Sequence, residues 1–341
     1  MQKTAPSARR QSFKNLAAIT AIVASTAIAT VLPGAMAHAA DKPMLDNLHF
    51  LIPGGAGGGW DGTARGTGEA LTKSGLVSSA SFENMSGGGG GKAIGFLIEN
   101  ADSNKETIMV GSTPFVIRGL TGRFKGKTFR DLTMIAGTIG DYAALVVNKD
   151  SAIQSFDDLL KQYKADPRSV SLGGGSVPGG MDHIVAAMIM KAAGAEPTKV
   201  KYIPFDAGGK AMASLLSGEI KALSTGFSEA VEMAKAGEVR IIGITSDERI
   251  DAYKDAPTFK EQGVDAKFVN WRGFFAAPGL DGARADKVRA TIAAMYDTPE
   301  WEAVRQRNGW VNIHNPGDQF VGFLEEQEKS IGALMKELGF L

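Results

Sequence analysis

From Asn47 onward the chain alternates short runs rich in β-branched and aromatic residues with stretches of helical character. That alternation restricts it to an α/β architecture with mainly parallel sheets flanked by helices. Strands are expected at NLHFLI (47–52), SASFEN (79–84) and ETIMVGS (106–112), with two more inside LTMIAGTIGDYAALVVN (132–148). Helices are expected over Asp61–Lys73 and from the glycine tract through Ile98. A second series begins with SFDDLLKQYK (155–164), where Ser155 suits an N-cap and Asp157 and Asp158 complement the helix dipole. Strands at SVSLG (169–173), KVKYIPF (199–205), IKALSTG (220–226) and VRIIGIT (239–245) then alternate with helices. KFVNWRGFFAAPG (267–279) reads as a returning strand, followed by a helical C-terminus.

Four strand-to-helix turns carry glycine and small polar residues: PGGAGGGWD (53–61), GSTPF (111–115), GGGSVPGGMD (173–182) and FDAGGK (205–210). In open α/β sheets such turns collect at the carboxyl ends of strands, where ligands bind. Two come from each half of the chain, which points to a cleft between two lobes. A chain of about 300 residues beyond residue 40 also exceeds one comfortable core. Glycine turns at helix N-termini offer several backbone N–H groups to an anion such as a carboxylate.

Residues 1–40 read as a cleaved secretory signal. Lys3, Arg9, Arg10 and Lys14 precede the apolar run LAAITAIVASTAIATVL (16–32), and AMAHAA (35–40) supplies cleavage sites after Ala37, Ala39 or Ala40. The pair in ARRQSFK resembles a twin-arginine signal, but Ser12 stands where a large apolar residue belongs, so Sec and Tat export both stay open. Without those four cations the 37 Lys and Arg fall to 33 against 37 Asp and Glu, a net charge of −4. That argues against nucleic acid and against an anionic membrane surface as partners. The mature chain is expected to be periplasmic, soluble and monomeric. It has no cysteine, which excludes disulfides, thiolate catalysis and cysteine-ligated metals.

Gly57–Gly62 fits G-x-G-x-x-G with Glu83 downstream, but Pro53 loosens the turn and Trp60 crowds the pyrophosphate path. SGGGGGKA (86–93) has Ser86 and Ala93 where a P-loop needs glycine and a metal-binding hydroxyl. His38, His49, His183 and His314 stand apart from any metal-ligand spacing, and no serine sits in a G-x-S-x-G elbow. Neither a cofactor nor a metal is expected, and no enzyme reading finds its residues.

The order of IPGGAGGGWD, VGSTPF, VVNKDSAIQSFDDLL, SLGGGSVPGGMDHIVAAMIMKAAG, VKYIPFDAGGKAMASLLSGEIKALSTGFSEAVEMAKAGEVRIIGITSDERI and NWRGFFAAPG resembles the tripartite tricarboxylate transporter receptors. These are extracytoplasmic solute-binding proteins, also called Bug or TctC-like receptors, and the likeness covers about 45–341. It implies a two-lobed periplasmic-binding-protein fold, a Venus flytrap of type II character, that closes on a small carboxylate and delivers it to permease subunits. Lobe 1 would comprise 41–147 and 271–341 and lobe 2 148–270, with the hinge near 147–150 and 268–272.

Carried over, the first ligand loop is Ala56, Gly57, Gly58, Gly59, Trp60 and Asp61, and the second is Gly174, Gly175 and Ser176. Asp61 either caps the helix or holds a water, since it repels an anion. Trp60 either walls the pocket or is ordinary packing. Ser112 and Thr113 would offer hydroxyls, Asp206 and Gly208 lie in the fourth turn, and Thr225 and Phe227 border the ligand in relatives. Arg272, where the family often has an uncharged residue, meets a further carboxylate of the ligand or pairs an acid across the hinge. The favoured ligand is a tricarboxylate such as citrate. A dicarboxylate, an aromatic acid or an acidic amino acid, in sensing rather than uptake, is the alternative.

Overall fold

The computed structural model describes residues 42–124 and 126–341, so the expected leader lies outside the described residues. The first half runs β1 (Leu45–Ile52), α1 (Gly59–Lys73), β2 (Val77–Asn84), α2 (Gly91–Glu99), β3 (Thr107–Ser112), α3 (Thr113–Leu120) and β4 (Thr133–Asn148). The second runs α4 (Phe156–Ala165), β5 (Ser171–Gly174), α5 (Met181–Ala192), β6 (Lys201–Pro204), α6 (Gly208–Leu216), β7 (Ala222–Gly226), α7 (Phe227–Lys235) and β8 (Val239–Ile244). The chain then returns through β9 (Val269–Ala276), α8 (Gly282–Met295), α9 (Pro299–Asn308), β10 (Val311–Pro316) and α10 (Asp318–Glu337).

The strands pair in the order β2-β1-β3-β9-β4-β7-β5-β6, with β10 and β8 also on β4. β1 is parallel to β2 and β3, and β5 is parallel to β6 and β7, as βα units require. The strands joining these two groups, β9 and β4, pair antiparallel with their neighbours, so the sheet is mixed. β4 is shared between two sections. Thr133–Tyr142 pair with β9, and from Ala143 to Asn148 the partners are β7 and β8.

Two strands were expected across 132–148, and one 16-residue strand is observed. Gly137 and Gly140 carry no positive φ and make no turn; they let neighbours approach. A Cβ on Gly140 would stand 2.5 Å from Val269 Cγ1. β10 was read as part of a helical terminus. Gly309, at φ +66°, closes α9 and frees VNIHNP to pair with Ala136–Gly140 of β4.

One buried cluster runs through both sections, taking in Leu51, Met109, Phe115 and Phe275 of the first and Leu145, Leu172, Ile184 and Met190 of the second, and each section adds a core of its own. Phe50, Ile52, Leu71, Ile108, Val110, Ile139, Phe274, Trp301 and Trp310 are buried around the first. Val146, Leu215, Leu223, Phe227, Val231 and Ile244 are buried around the second. α4 starts as its sequence indicates: Ser155 Oγ accepts the Asp158 amide at 3.2 Å and Asp158 Oδ2 accepts the Ser155 amide at 3.0 Å. Such a reciprocal cap stabilises a helix by about 1 kcal/mol.

Candidate functional site

A cavity of about 120 Å³ lies where the glycine turns of both halves meet. Of the residues expected there, Gly58, Gly59, Trp60, Ser112, Gly175, Ser176, Asp206, Gly208 and Arg272 line it. The helices α1, α5, α6 and α7 begin beside it at Gly58, Gly180, Ala207 and Gly226, and none of these N-caps has a side-chain hydrogen bond. The first-turn amides of α1 and α6 keep donors for something else, whereas the Asp182 amide of α5 donates to Ser176 Oγ at 3.0 Å and the Ser228 amide of α7 to Asp141 Oδ1 at 3.2 Å. Trp60 forms a wall: its Nε1 donates to Ser112 Oγ at 2.8 Å and its ring meets the edge of Phe115 at 5.9 Å.

The turns touch one another across the cavity. A Cβ on Gly175 would stand 2.2 Å from the Gly208 nitrogen, and one on Gly55 would stand 2.7 Å from the Asp206 carbonyl oxygen. Ser86 Oγ donates to Asp206 Oδ1. Ala207, which closes the fourth turn, has φ 136°; among the described residues no other non-glycine has a positive φ. Strain of this kind, of order 1–3 kcal/mol, is held where packing over-determines the backbone.

Seven expected residues do not line the cavity: Ala56, Gly57, Asp61, Thr113, Gly174, Thr225 and Phe227. Ala56 and Gly57 face Gly209 of the fourth turn instead. Asp61 braces its own loop, its Oδ2 accepting the Gly57 amide at 3.0 Å while Oδ1 accepts Arg65 Nε at 2.8 Å and Asn84 Nδ2 at 3.0 Å. These bonds hold the loop to β2 and to α1's own first turns, while the N-cap Gly58 receives no side-chain bond. Thr113 is buried, with its amide on Asn270 Oδ1 at 3.3 Å. Gly174 is the last residue of β5, Thr225 pairs with Ala144 inside the sheet, and Phe227 is core.

Arg272 is 2% exposed and already engaged. Its Nη1 donates to Thr63 Oγ1 at 3.0 Å and its Nη2 to Asp141 Oδ2 at 2.8 Å, joining adjacent strands β9 and β4. Of the two expected roles, pairing an acid is the one it fills. Glu229 Oε1 stands 3.8 Å from the same Nη2.

Several lining residues escaped the sequence reading. Asp182 and Glu229 open α5 and α7, and both face the cavity. Burial pushes Glu229 up to about 7, against the pull of Arg272. Burial likewise pushes Asp182 up to about 7, opposed by hydrogen bonds from Ser176 and the Gly175 amide. Asp141 is also raised by burial, with Arg272 and Ser228 opposing. His183, stacked on Tyr202 at 4.6 Å, is pushed by burial down to about 4 and is neutral.

Arg118 of α3 is a third missed charge. It lines the cavity, is half-buried, and forms no ion pair among the described residues. Its Nε has no hydrogen-bond partner, and its guanidinium lies over the Phe124 ring at 5.5 Å. Burial and then Arg123 lower its pKa, as befits a cation lacking an anion. The signal for all three was a charge inside an otherwise apolar helical stretch, FVIRGL, MDHIVAAM and FSEAVEM. An uncapped set of helix N-termini with an unpaired arginine can hold a small anion by backbone and guanidinium donors.

Comparison with known proteins agrees. A UPF0065 protein in the TAR-I ttuE-ttuC' intergenic region of Agrobacterium vitis is 27% identical over 276 residues, covering 80% of this chain and 77% of its own. Among solved structures, the periplasmic binding protein BugD has a TM-score of 0.77 at 19% identity, over 86% of this chain and 98% of that one. MatC (Rpa3494) from Rhodopseudomonas palustris, solved with bound malate, has a TM-score of 0.73 at 18% identity, over 86% and 99%. The fold is thus the α/β periplasmic-binding-protein fold. The family model for the tripartite tricarboxylate transporter family receptor matches residues 64–340. The chain belongs to that receptor family.

Proposed function

We propose that the chain is an extracytoplasmic receptor that captures a small carboxylate in the cavity and delivers it to the permease subunits of a tripartite transporter. Its family is one of substrate-binding receptors rather than enzymes, and its members work with such permeases. The observation carrying the ligand class is the convergence of the uncapped N-termini of α1 and α6 with the Arg118 guanidinium, which is unpaired among the described residues. The malate held by MatC supports a carboxylate as the cargo. Citrate remains the favoured tricarboxylate from the sequence resemblance, with a shorter dicarboxylate next. Among the described residues no helix is long and apolar enough to cross a membrane. We further propose that residues 1–40 are removed on export to the periplasm.

In this reading the β1–β3 section and the β5–β7 section are two lobes, joined by β4 and β9, and the cavity is their cleft. The change of partners at Tyr142–Ala143 favours a hinge there on the β4 side, upstream of 147–150. The test is thermal unfolding of the mature chain against citrate, tricarballylate, malate, succinate, adipate, glutamate, nicotinate and benzoate. A ligand at a hundred times its Kd adds about 2.7 kcal/mol, a readily measured shift. No shift with any acid would reject the reading. A second reading, sensing in place of uptake, has no specific observation in its favour.

A further inference from the structure

The floor of the cavity carries more acid than the ligand class allows. Asp182 and Glu229 line it with one guanidinium, Arg272, and Asp141 lies fully buried behind that arginine. Asp141 accounts for that cation: it takes Arg272 Nη2 at 2.8 Å, and the Ser228 hydroxyl at 2.7 Å and amide at 3.2 Å. Arg272 spends its Nη1 on Thr63. Glu229 keeps a longer ion pair to Nη2 at 3.8 Å and accepts the Gly226 amide, but among the described residues its carboxyl accepts no side-chain hydrogen bond. Its oxygens lie against backbone instead; a Cβ on Gly208 would stand 1.8 Å from Oε2, and one on Gly59 would stand 2.9 Å from Oε1. Asp182 is 6% exposed and has no cation beside it; its carboxyl accepts hydrogen bonds from the Ser176 hydroxyl and from the Gly175 and Ser176 amides.

No other charge in the surroundings repairs the balance. Asp206, from the fourth turn, is paired with Lys210 at 3.4 Å. Tyr202 of β6 lies next to Asp182 with its hydroxyl on Ser176 and stays protonated, while His183 of α5 is neutral. Arg118 of α3 lines the cavity but pairs with neither acid. An ionised carboxylate buried without a partner is costly, and an entering organic anion makes it costlier. A protonated carboxyl, by contrast, is a hydrogen-bond donor, and its bond to a carboxylate is a short, charge-assisted one.

We propose that Glu229 and Asp182 are ligand-recognition residues that hold protons and donate them in hydrogen bonds to the incoming carboxylate, so the cavity takes up protons together with its organic anion. This rests on the receptor reading above. No bond to carbon forms or breaks; each proton comes from solvent and stays on the acid pair. Burial setting both acids near neutrality puts the uptake in the range where a periplasm operates.

The test is calorimetric titration of the mature protein with malate and citrate at pH 6 and pH 8, each in phosphate and in Tris. The two buffers differ in ionisation heat, so the difference in binding heat counts protons. At pH 8 roughly one or two protons should be taken up per ligand, and Kd should rise roughly five- to tenfold per group between pH 7 and pH 8. Glu229→Gln, whose amide can donate at any pH, should bind within about threefold of the parent at pH 6 and tighter than it at pH 8. Asp182→Asn is the parallel variant should the first fold poorly, and the proton count of the parent needs neither. Binding with no proton uptake would overturn the inference alone. Binding weakened equally at both pH values in both variants would also overturn it. No binding of either acid at pH 6, where it should be tightest, would overturn both the inference and its ligand class.

Discussion

Two arginines divide the work at the cavity. Arg272 was visible in the sequence as an unusual charge at a returning strand, with two roles open. Its burial and its 2.8 Å contact with Asp141 make it a strut between β9 and β4. Removing one partner of a buried pair typically costs 3–5 kcal/mol. Arg272→Met is accordingly expected to lower the unfolding free energy by about that much, measured by urea denaturation. Arg118→Met keeps the stem over Phe124 and removes only the unpaired guanidinium. It should leave the melting temperature nearly unchanged and weaken carboxylate binding roughly ten- to a hundredfold. Equal effects of the two variants on stability would contradict this division. Arg118, Asp182 and Glu229 were hard to read because their one local mark, a charge within an apolar helical stretch, does not by itself point to a site. Their meaning comes from being brought together over long sequence distances, and a charge in a helical stretch is usually solvated.

The same residues set the pH dependence of stability. A carboxyl whose folded pKa is raised binds its proton in the folded state where the unfolded chain has lost it, so stability falls as pH rises through that interval. For Asp182 and Glu229, the interval runs from near 4 to beyond 7. His183, lowered to about 4, works in the opposite direction below about pH 6.5. The fall should therefore be cleanest from about pH 6.5 to 8, worth roughly 1 kcal/mol per group. Melting temperatures of the ligand-free protein across that range should decline, and Glu229→Gln should flatten the slope. A flat parent profile would contradict the burial of these acids.

At the scale of elements, the regular βα units were legible because their periodicity and caps are local. The Ser155 capping box and the glycine-led starts of α1 and α5 lie where the sequence indicated. What failed was the division of 132–148 into two strands. In β4, Gly137 and Gly140 admit Phe320 and Val269 rather than bend the chain, a requirement set by residues far away in sequence. Gly140→Val should place its side chain against Val269 and Val311 and destabilise by about 2 kcal/mol or more, seen as a lower denaturation midpoint. A midpoint unchanged from the parent would restore the turn. β10 was hidden by its length and by the helix-like sequence before it. Its register against β4 depends on the sheet and not on its own six residues.

At the scale of the whole molecule, the glycine turns that looked equivalent along the chain do meet around one cavity, and the family match over residues 64–340 agrees with that topology. Ligand identity was not legible because backbone donors recognise a carboxylate head and little else. The most direct measurement is a crystal structure of the mature protein with whichever acid gives the largest thermal shift. A carboxylate of that acid should sit within about 3 Å of the first-turn amides of α1 or of the Arg118 guanidinium, inside the cavity. An acid bound elsewhere, with the cavity between Gly58, Gly175 and Gly208 unchanged, would contradict the assignment of this site.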